Sequence, residues 1–397
     1  MKINRILNVI TGSGHLSVLL RDMLVQKENI LSDGLHLQTT MGWLCRAQDA
    51  IEGQGISAGY DLRSGWLPPY PETTGYVITT FLDYYQQTSD NQFLDRAMQM
   101  GDWEIKIQMP DGAVRGGVGI NNYSIVFNTG QVIDGWLSLF EVTKLEKYLS
   151  AAVKAGDWLV SVQDENGSWS KFDYNNVPHA YSSRVAWFLL KLGEIIGDTK
   201  YTKSGKKNIN WILNQADPKI PWISHMGFEY GIEAPFTHTI AYTLQGLLES
   251  IPYLDSDVQD KVMELASRIG ERLMHFYERR KHNPYALPAY LPAIIDNHWK
   301  AGARYSCLTG DAQVALVWLR LYQLNQDARF LNAALKMIDQ VKALQSFNSP
   351  NPGITGGVAG SYPIYGGYMR FVYPNWAAKF FADALMLQSQ IMSKLEA

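Results

Sequence analysis

The chain has 397 residues, with 35 Lys and Arg, 38 Asp and Glu, and a formal net charge of −3. Without a run of basic residues, nucleic-acid binding has no electrostatic support. No apolar stretch reaches the roughly 20 residues of a membrane span, and the N-terminus lacks a signal-peptide pattern. The only cysteines are Cys45 and Cys307. This composition predicts a cytoplasmic protein without a disulfide framework.

The first elements in chain order are helices. One helix is predicted near 14–30, and residues 1–34 are interpreted as an N-terminal helical extension. A second helix, 35–51, opens the main part of the chain, which we interpret as one domain over 35–397 because no linker or low-complexity tract interrupts it.

A motif then recurs about every 54 residues, consisting of an aromatic residue, Ala, Gly-Asp-Trp and Gln. Its fullest copy contains Tyr148, Ala152, Gly156-Asp157-Trp158 and Gln163, and an earlier copy contains Phe93, Ala97, Gly101-Asp102-Trp103 and Gln108. Weaker copies begin at Tyr201 and Phe330. The spacing from residue 93 to 148 is 55, and that from 148 to 201 is 53. Self-similarity at such a period predicts stacked supersecondary units that share a core.

Two kinds of helix alternate along this repeat. Segments with charged residues on one face are predicted to be outer helices, at 35–51, 91–108, 146–163, 199–215, 256–279 and 327–346. Segments that are apolar around most of the circumference are predicted to be inner helices, at 72–87, 128–143, 179–197, 236–250, 307–325 and 374–393. The alternation predicts an all-α fold, an (α/α)6 toroid of six helical hairpins in two concentric rings. Few strands are expected, with the aromatic, Gly-rich loops 109–127, 164–178 and 350–373 as places for short ones.

The longest loops lead from an outer helix into the next inner helix, at 52–71, 109–127, 216–235, 280–306 and 347–373. They are therefore expected to gather at one end of the ring, and loops longer than about 15 residues in a compact domain are usually functional.

Polar residues stand at the starts of all six inner helices, where free N–H groups and the positive ends of the helix dipoles point. They are Glu72, Asn128, Gln131, His179, Tyr181, Arg184, His238, Asp311, Gln313, Asn375 and Lys379. One such residue alone would be interpreted as a helix cap. Six clusters at equivalent places predict a functional site at this end of the ring.

Hydrolysis of a glycosidic bond normally needs two carboxyl groups that face each other across the sugar. The carboxylates available at this end are Asp61, Glu72, Asp173, Glu229, Glu233, Asp296 and Asp311. We select Glu72, in PPYPETTGY, and Glu233, in EYGIEAPFTHT, as the candidate catalytic pair.

The alternative chemistry is proton abstraction next to a uronate carboxylate, as in elimination or epimerisation. It needs an acid and a base, for which His179, Tyr181 and His238 are candidates. It also needs a clamp on the carboxylate. Four arginines near the predicted site suit an acidic sugar. The predicted substrate-binding residues are Asp61, Trp66, Tyr70, Arg115, Asn128, Gln131, Arg184, Arg304, Asp311, Tyr368, Arg370 and Asn375.

No metal or cofactor is expected. The sequence contains no HxH, HExxH or CxxC pattern, and its two glycine-rich stretches, 116–119 and 356–360, lack the context of a phosphate loop.

The segment KAGDWLVSVQDENGSW (154–169) resembles the QW repeat of triterpene cyclases, whose Gln and Trp tie one hairpin to the next. A structural role is implied here as well. Those enzymes also need an acidic DxDD motif, which this sequence lacks, so isoprenoid cyclisation is the lesser alternative.

The whole pattern over 35–393 resembles the six-hairpin glycosidase-like group, which includes unsaturated uronyl hydrolases, N-acylglucosamine 2-epimerases and several polysaccharide lyases. YPETTGY (70–76) is similar to a segment that precedes an inner helix in glucuronyl C5-epimerases. FNTGQVIDGWLSLFE (127–141) and CLTGDAQVALVWLRLY (307–322) resemble inner helices of proteins linked to bacterial surface-polysaccharide synthesis.

The resemblance implies an enzyme that acts on an oligo- or polysaccharide, with an acidic, uronate-containing surface or extracellular glycan as the expected substrate. Hydrolysis, elimination and epimerisation stay open. A non-catalytic glycan-binding or scaffold role in polysaccharide biosynthesis is the alternative, and a homo-oligomer is compatible with the sequence.

Overall fold

The protein is described by a computed structural model that covers residues 11–24, 30–229, 231–281 and 291–396. Within these ranges the chain forms thirteen α-helices and five short strands. Helix α1 is His15–Met23, a shorter element than the helix predicted near 14–30, and residues 25–29 of that prediction lie outside the described residues. No described helix is long and apolar enough to cross a membrane.

The remaining twelve helices alternate between two rings, so the predicted (α/α)6 toroid is confirmed. The outer helices are α2 (Asp33–Asp49), α4 (Asn91–Ile107), α6 (Glu146–Ser161), α8 (Thr199–Leu213), α10 (Ser256–Lys281) and α12 (Ala328–Lys342). The inner helices are α3 (Pro71–Thr88), α5 (Val126–Thr143), α7 (Ser183–Ile196), α9 (Thr237–Ser250), α11 (Leu308–Asn325) and α13 (Asn375–Glu396). Consecutive inner helices pack against one another, and α13 closes the ring by packing against α3 and α2.

The ends of the inner helices explain why the hairpins turn so tightly. Ser89, Gly197 and Gln326 adopt the left-handed conformation at the ends of α3, α7 and α11. In each case the next residue is an Asp whose side chain accepts a hydrogen bond from a backbone N–H in the first turn of the following outer helix. Because the residue that ends one helix is followed directly by the N-cap of the next, the connection between the two helices is as short as two residues.

The glycines of the repeat allow neighbouring hairpins to approach closely. A Cβ atom on Gly101 would lie 2.3 Å from Leu139, and one on Gly156 would lie 2.5 Å from Leu192. The aromatic residue of the next copy packs beside each glycine, and the hydroxyl of Tyr201 donates a 2.7 Å hydrogen bond to Asp157.

The glutamines of the repeat tie adjacent units together, as the resemblance to the QW motif implies. Gln108 donates to the carbonyl of Ala151 on α6, and Gln163 donates to that of Ser204 on α8. Gln345 donates to the hydroxyl of Thr40 on α2. This last bond joins the end of the repeat to its beginning.

The strands lie at the loop pole, which we define as the end of the ring where the six inner helices begin. They are β1 (Gly59–Asp61), β2 (Gly65–Trp66), β3 (Ser306–Cys307), β4 (Ser361–Tyr362) and β5 (Val372–Pro374). β1 pairs antiparallel with both β2 and β5, and β3 pairs with β4.

The expectation of strands in the loops 109–127 and 164–178 was wrong. The first of these loops contains only the isolated bridge between Arg115 and Ser124. Side chains organise both loops instead. Arg115 donates to the carbonyl of Ile107, and Asp164 accepts hydrogen bonds from Ser168 and Ser170. The predicted strand region 350–373 does contain β4 and the start of β5.

Helix α1 packs against the loop that precedes α13. Arg21 donates to the carbonyl of Leu344 and to Ser346, and Asp22 accepts a 2.7 Å hydrogen bond from the amide of Ile364. The division of the chain into an extension 1–34 and a toroid 35–397 stays a prediction.

Candidate functional site

A cavity of about 320 Å³ opens at the loop pole. We call it the loop-pole cavity. Aromatic side chains form most of its wall, namely Tyr70, Tyr76, Phe127, Tyr174, Tyr181, Phe228, Tyr242, Tyr368 and Trp376. Three titratable side chains stand among them: Glu72, Asp173 and His238. A concave site with apolar walls and a few convergent polar groups is typical of small-molecule binding.

Glu72 lies in the first turn of α3, directly after the proline that starts the helix. Its Oε2 accepts a 2.5 Å hydrogen bond from the hydroxyl of Tyr70. Burial raises the pKa of Glu72 to about 7, although the Tyr70 hydrogen bond and the charge of Arg184 oppose the rise. A carboxyl group with this pKa carries a proton in much of the population near neutral pH.

Asp173 lies in the loop between α6 and α7 and was in the pool of candidate carboxylates without being selected. Its Oδ1 accepts a 2.8 Å hydrogen bond from the amide of Tyr174, and its Oδ2 accepts one of 3.1 Å from the hydroxyl of Ser182. Burial raises its pKa to about 6. The charge of Asp173 in turn raises the pKa of Glu72. The two carboxyl groups are therefore electrostatically coupled in one cavity.

His238 is the second residue of α9, and its side chain is 5 % exposed. Neither ring nitrogen has a hydrogen-bond partner among the described residues. Aromatic rings surround the imidazole, with the centroid of Tyr368 at 4.9 Å and that of Phe228 at 5.7 Å. Burial lowers the pKa of His238 to about 3. His238 is therefore a neutral imidazole with a free lone pair at the cavity wall.

The structure brings six of the predicted site residues together. Glu72, His238, Tyr181, Tyr70, Asn128 and Tyr368 all line the loop-pole cavity. Glu72, Asn128 and His238 come from the starts of three inner helices, and Tyr70, Tyr181 and Tyr368 come from the segments that precede inner helices.

The other two predicted catalytic residues lie outside this lining. Glu233 accepts a 2.8 Å hydrogen bond from the indole N–H of Trp222 and is therefore engaged within its own loop region. His179 stacks on Tyr181 at 4.5 Å, and its two ring nitrogens lie 2.9 and 2.8 Å from the carbonyl oxygens of Gly227 and Tyr174. Its contacts connect two loops behind the cavity wall.

The four arginines expected to hold an acidic sugar do not line the cavity. Arg115 is bound to backbone carbonyls and to Asn122 within its loop. Arg304 and Arg370 are exposed. Arg184 is buried on α7 and donates to the side-chain oxygens of Gln131 and Gln245. None of the described residues that line the cavity is a Lys or an Arg.

The remaining predicted binding residues have structural contacts. Asp61 pairs with Arg63 at 2.5 Å, and Trp66 packs against Trp43. Asn375 donates to the carbonyl of Ser57 and to Thr73. Asp311 is fully buried and accepts a 2.6 Å hydrogen bond from Ser306, and burial raises its pKa to about 8.

Some lining residues were missed, but a pattern in the sequence could have found two of them. Tyr76 and Tyr242 follow Glu72 and His238 by four residues, which places them on the same helix face one turn further on. Asp173, which was a candidate without being selected, lies in a loop, as do Tyr174 and Phe228. In loops no periodicity indicates the direction of a side chain.

Known proteins are similar to this chain in fold and not detectably in sequence. No family model matches the chain, and no curated protein matches its sequence. Solved structures do match. An unsaturated glucuronyl hydrolase specific for heparin has a TM-score of 0.70 at 14% identity, over 90% of this chain and 97% of that one.

Two further structures agree. Cellobiose 2-epimerase from Bacillus thermoamylovorans B4167 has a TM-score of 0.68 at 12% identity, over 94% of this chain and 98% of that one. Unsaturated glucuronyl hydrolase from Bacillus sp. GL1 has a TM-score of 0.66 at 16% identity, over 89% and 96%. The likeness shows that this chain and these enzymes share an (α/α)6 toroid fold. Because one fold carries many reactions, this likeness leaves the chemistry to be argued from the site.

Proposed function

We propose that the protein is a carbohydrate-active enzyme that hydrolyses a glycosidic bond in the loop-pole cavity. The observation that carries the proposal is the presence of two coupled, buried carboxyl groups, Glu72 and Asp173, in one aromatic-walled cavity. Aromatic faces bind the apolar faces of sugar rings, and carboxyl groups bind hydroxyls and perform acid–base chemistry. The solved structures of similar fold, which are named as a glucuronyl hydrolase and a sugar epimerase, are in keeping with this class.

The environments of the two carboxyl groups suggest their roles. Glu72 has the higher pKa and is the general acid, which donates its proton to the leaving glycosidic oxygen. Asp173 is held as a carboxylate by two hydrogen-bond donors. It either removes a proton from the attacking water or attacks the anomeric carbon itself. The anomeric configuration of the product, read by NMR, distinguishes these two routes.

A neutral sugar suits the cavity better than a uronate. A bound carboxylate would meet Glu72 and Asp173 without a Lys or Arg among the described lining residues to oppose the repulsion. The proposal therefore departs from the acidic glycan that was expected from the sequence. A cytoplasmic location and a homo-oligomeric state are kept as further parts of the proposal that come from the sequence.

The decisive experiment incubates the wild-type protein with a panel of neutral and acidic oligosaccharides and measures new reducing ends. We expect Glu72→Gln and Asp173→Asn each to lower kcat by about 10²–10⁴-fold. Glu233→Gln is the matched control and is expected to keep activity within a few-fold. Equal losses in all three variants, or loss only in Glu233→Gln, would contradict the assignment.

A purely glycan-binding protein would behave differently in the same experiment. It would release no reducing ends, and the substitutions would weaken affinity gradually instead of abolishing turnover. Binding without turnover across the whole panel would therefore replace the enzymatic proposal by the non-catalytic one.

A second candidate reaction, sugar epimerisation, is favoured by His238. Its imidazole has no hydrogen-bond partner among the described residues, so a ring nitrogen can accept a proton from a sugar carbon next to a carbonyl. The burial that lowers the pKa of His238 to about 3 makes it a weak base, which places this reaction second. Incubation in heavy water separates the two reactions. Deuterium at a ring carbon that disappears in His238→Gln indicates epimerisation, whereas new reducing ends without ring deuterium indicate hydrolysis.

A further inference from the structure

A second cavity, of about 280 Å³, lies deeper along the same inner helices. We call it the far cavity. Its residues lie one to three helical turns beyond those of the loop-pole cavity along the inner helices. Asp83 follows Tyr76 on α3, Ser138 follows Asn128 on α5, and Lys379 follows Trp376 by one turn on α13. The inner helices run in the same direction. The far cavity is therefore at the opposite mouth of the ring.

Hydrogen-bonded side chains from three inner helices lie at the far cavity, and two of them, Arg184 and Gln245, line it. Arg184 on α7 donates at 2.8 Å to Gln131 on α5 and at 2.6 Å to Gln245 on α9. The two sets of lining residues share no member. The far cavity is therefore a separate compartment, entered from its own side of the toroid.

We propose that the far cavity binds a small uncharged polyhydroxylated molecule, the size of one sugar ring or cyclic polyol. Its volume lies at the lower end of the range for small-molecule sites. The proposal does not depend on the reaction assigned to the loop-pole cavity, because it concerns a different set of residues.

The first argument is an unsatisfied acceptor. Asp134 lines the far cavity and is 6 % exposed, and only burial and nearby charges, without a hydrogen bond from a described residue, act on its carboxyl group. A buried carboxylate is costly unless donors reach it. Ser138 and the half-buried Gln245 stand on the same wall. Vicinal hydroxyls of a sugar would supply the missing donors and would also accept from the amide.

The second argument is charge balance. Lys379 pairs with Asp383 across one turn of α13. Burial raises the pKa of Asp134, and the charges of Lys191 and Arg184 oppose the rise. Burial also raises the pKa of Asp83, the third carboxyl group of the wall, to about 7. A ligand with a net charge would disturb this arrangement, because cations and carboxylates both line the wall. Hydroxyl groups can donate to the carboxylates and accept from the guanidinium without adding charge.

The third argument concerns shape and the exclusion of a metal. Trp187 lines the far cavity and is half-buried, which leaves part of the indole free to pack on a sugar face. The described part of the chain has no group of three His, Cys, Asp or Glu placed to hold a metal ion. An organic polyol is therefore the ligand class that this wall fits.

The test follows the indole N–H resonances of Trp187 and Trp376 by NMR, because each reports on one cavity. Trp187→Phe and Trp376→Phe assign the two signals. The probes are D-glucose and myo-inositol, with D-glucosamine as the cationic and D-glucuronate as the anionic comparison. We expect a saturable shift of Trp187 with a neutral probe, and at least tenfold weaker binding of the charged probes.

Asp134→Asn is expected to weaken binding of the neutral probe, measured at Trp187, by about tenfold. Any binding measured at Trp376 should stay unchanged. Ser138→Ala is the milder variant and should weaken binding of the neutral probe by a few-fold. It provides the test if Asp134→Asn does not fold. The proposal is overturned if no probe shifts Trp187 saturably, if only a charged probe does, or if both variants bind like the wild type. Loss of the Trp376 response alone would count against the loop-pole proposal and not against this one.

Discussion

The hydroxyl of Tyr70 lies 2.5 Å from Oε2 of Glu72, two residues further along the chain. Tyr70 is the last residue before α3, and Glu72 is in its first turn. The bend of the chain into the helix therefore places a donor directly against the buried carboxyl group. Because a hydrogen bond to the charged form favours that form, Tyr70 holds the pKa of Glu72 below the value that burial alone would give.

Tyr70→Phe removes this donor without changing the ring. We expect the pKa of Glu72 to rise by about one to two units, because a hydrogen bond to a charged group contributes about 1.5–3 kcal/mol. The alkaline limb of the pH–kcat/KM profile should move up by that amount. Tyr76→Phe, in the same cavity wall, is the control and should leave the limb in place. An unmoved limb in Tyr70→Phe would remove Glu72 from the role of general acid.

The wild-type protein should show a narrow bell-shaped pH dependence of kcat/KM. Activity should rise as Asp173, with a pKa of about 6, loses its proton and becomes the base or nucleophile. It should fall as Glu72, with a pKa of about 7, loses the proton that it must donate. The optimum is then expected between about pH 6 and 7, and the limbs belong to the coupled pair.

Rates measured from pH 4.5 to 9 check this expectation. Asp173→Asn should abolish the acid limb together with most of the activity, and the residual rate should retain only the alkaline limb. An optimum well above pH 8 would disagree with Glu72 as the acid and would favour a base other than Asp173.

The fold was predictable from the sequence because its two signals are local and repeated. Gly156 and Gln163 recur at a fixed period, and the start of α5 was placed within two residues of its observed position at Val126. Such signals survive because every unit must make the same contacts with its neighbour.

The site was predictable only where it rests on helix starts. Glu72 and His238 converge because each opens an inner helix, and all inner helices begin at the same pole. Asp173 and Glu233 lie in loops, where tertiary contacts decide direction. Phe172 has a positive φ of 65° immediately before Asp173, whereas Glu233 is bound by the indole of Trp222. No spacing in the sequence reports either fact.

Replacement of Glu104, on the outer helix α4, by an apolar residue is expected to stabilise the folded protein. The Glu104 side chain is fully buried, neither carboxyl oxygen has a hydrogen-bond partner among the described residues, and burial raises its pKa well above the usual value. The folded state therefore retains a proton that the unfolded chain releases above about pH 4.3. Below that pH, the contribution of this group to the free energy of unfolding has its full value. It falls as pH rises, by up to about 1.4 kcal/mol per unit, until the folded-state pKa is reached.

Glu104→Met should consequently raise the free energy of unfolding at pH 8 by about 1–3 kcal/mol, with a smaller gain at pH 5. Urea unfolding at the two pH values measures the difference. Glu278→Met replaces an exposed Glu on another outer helix and is the matched control. Destabilisation by Glu104→Met at both pH values would show that the carboxyl group has a partner in solution.

Gln163 tests whether the glutamine of the repeat ties hairpins together. Its amide donates to the carbonyls of Gly167 and Ser204, and its oxygen accepts from the Ser204 hydroxyl. Gln163→Ala should lower the free energy of unfolding by about 2–4 kcal/mol, since three hydrogen bonds of about 1 kcal/mol each are lost. Thermal or urea unfolding measures the loss.

Gln215 provides the internal control, because it occupies the shifted copy of the same motif. Among the described residues its amide donates only to the carbonyl of Trp211, in the helix that directly precedes it. Gln215→Ala should therefore cost less than about 1 kcal/mol. Equal costs for the two substitutions would mean that the inter-hairpin bond of Gln163 contributes nothing beyond local helix capping. A larger loss of unfolding free energy for Gln163→Ala would show that its hydrogen bonds to the neighbouring hairpin stabilise the ring.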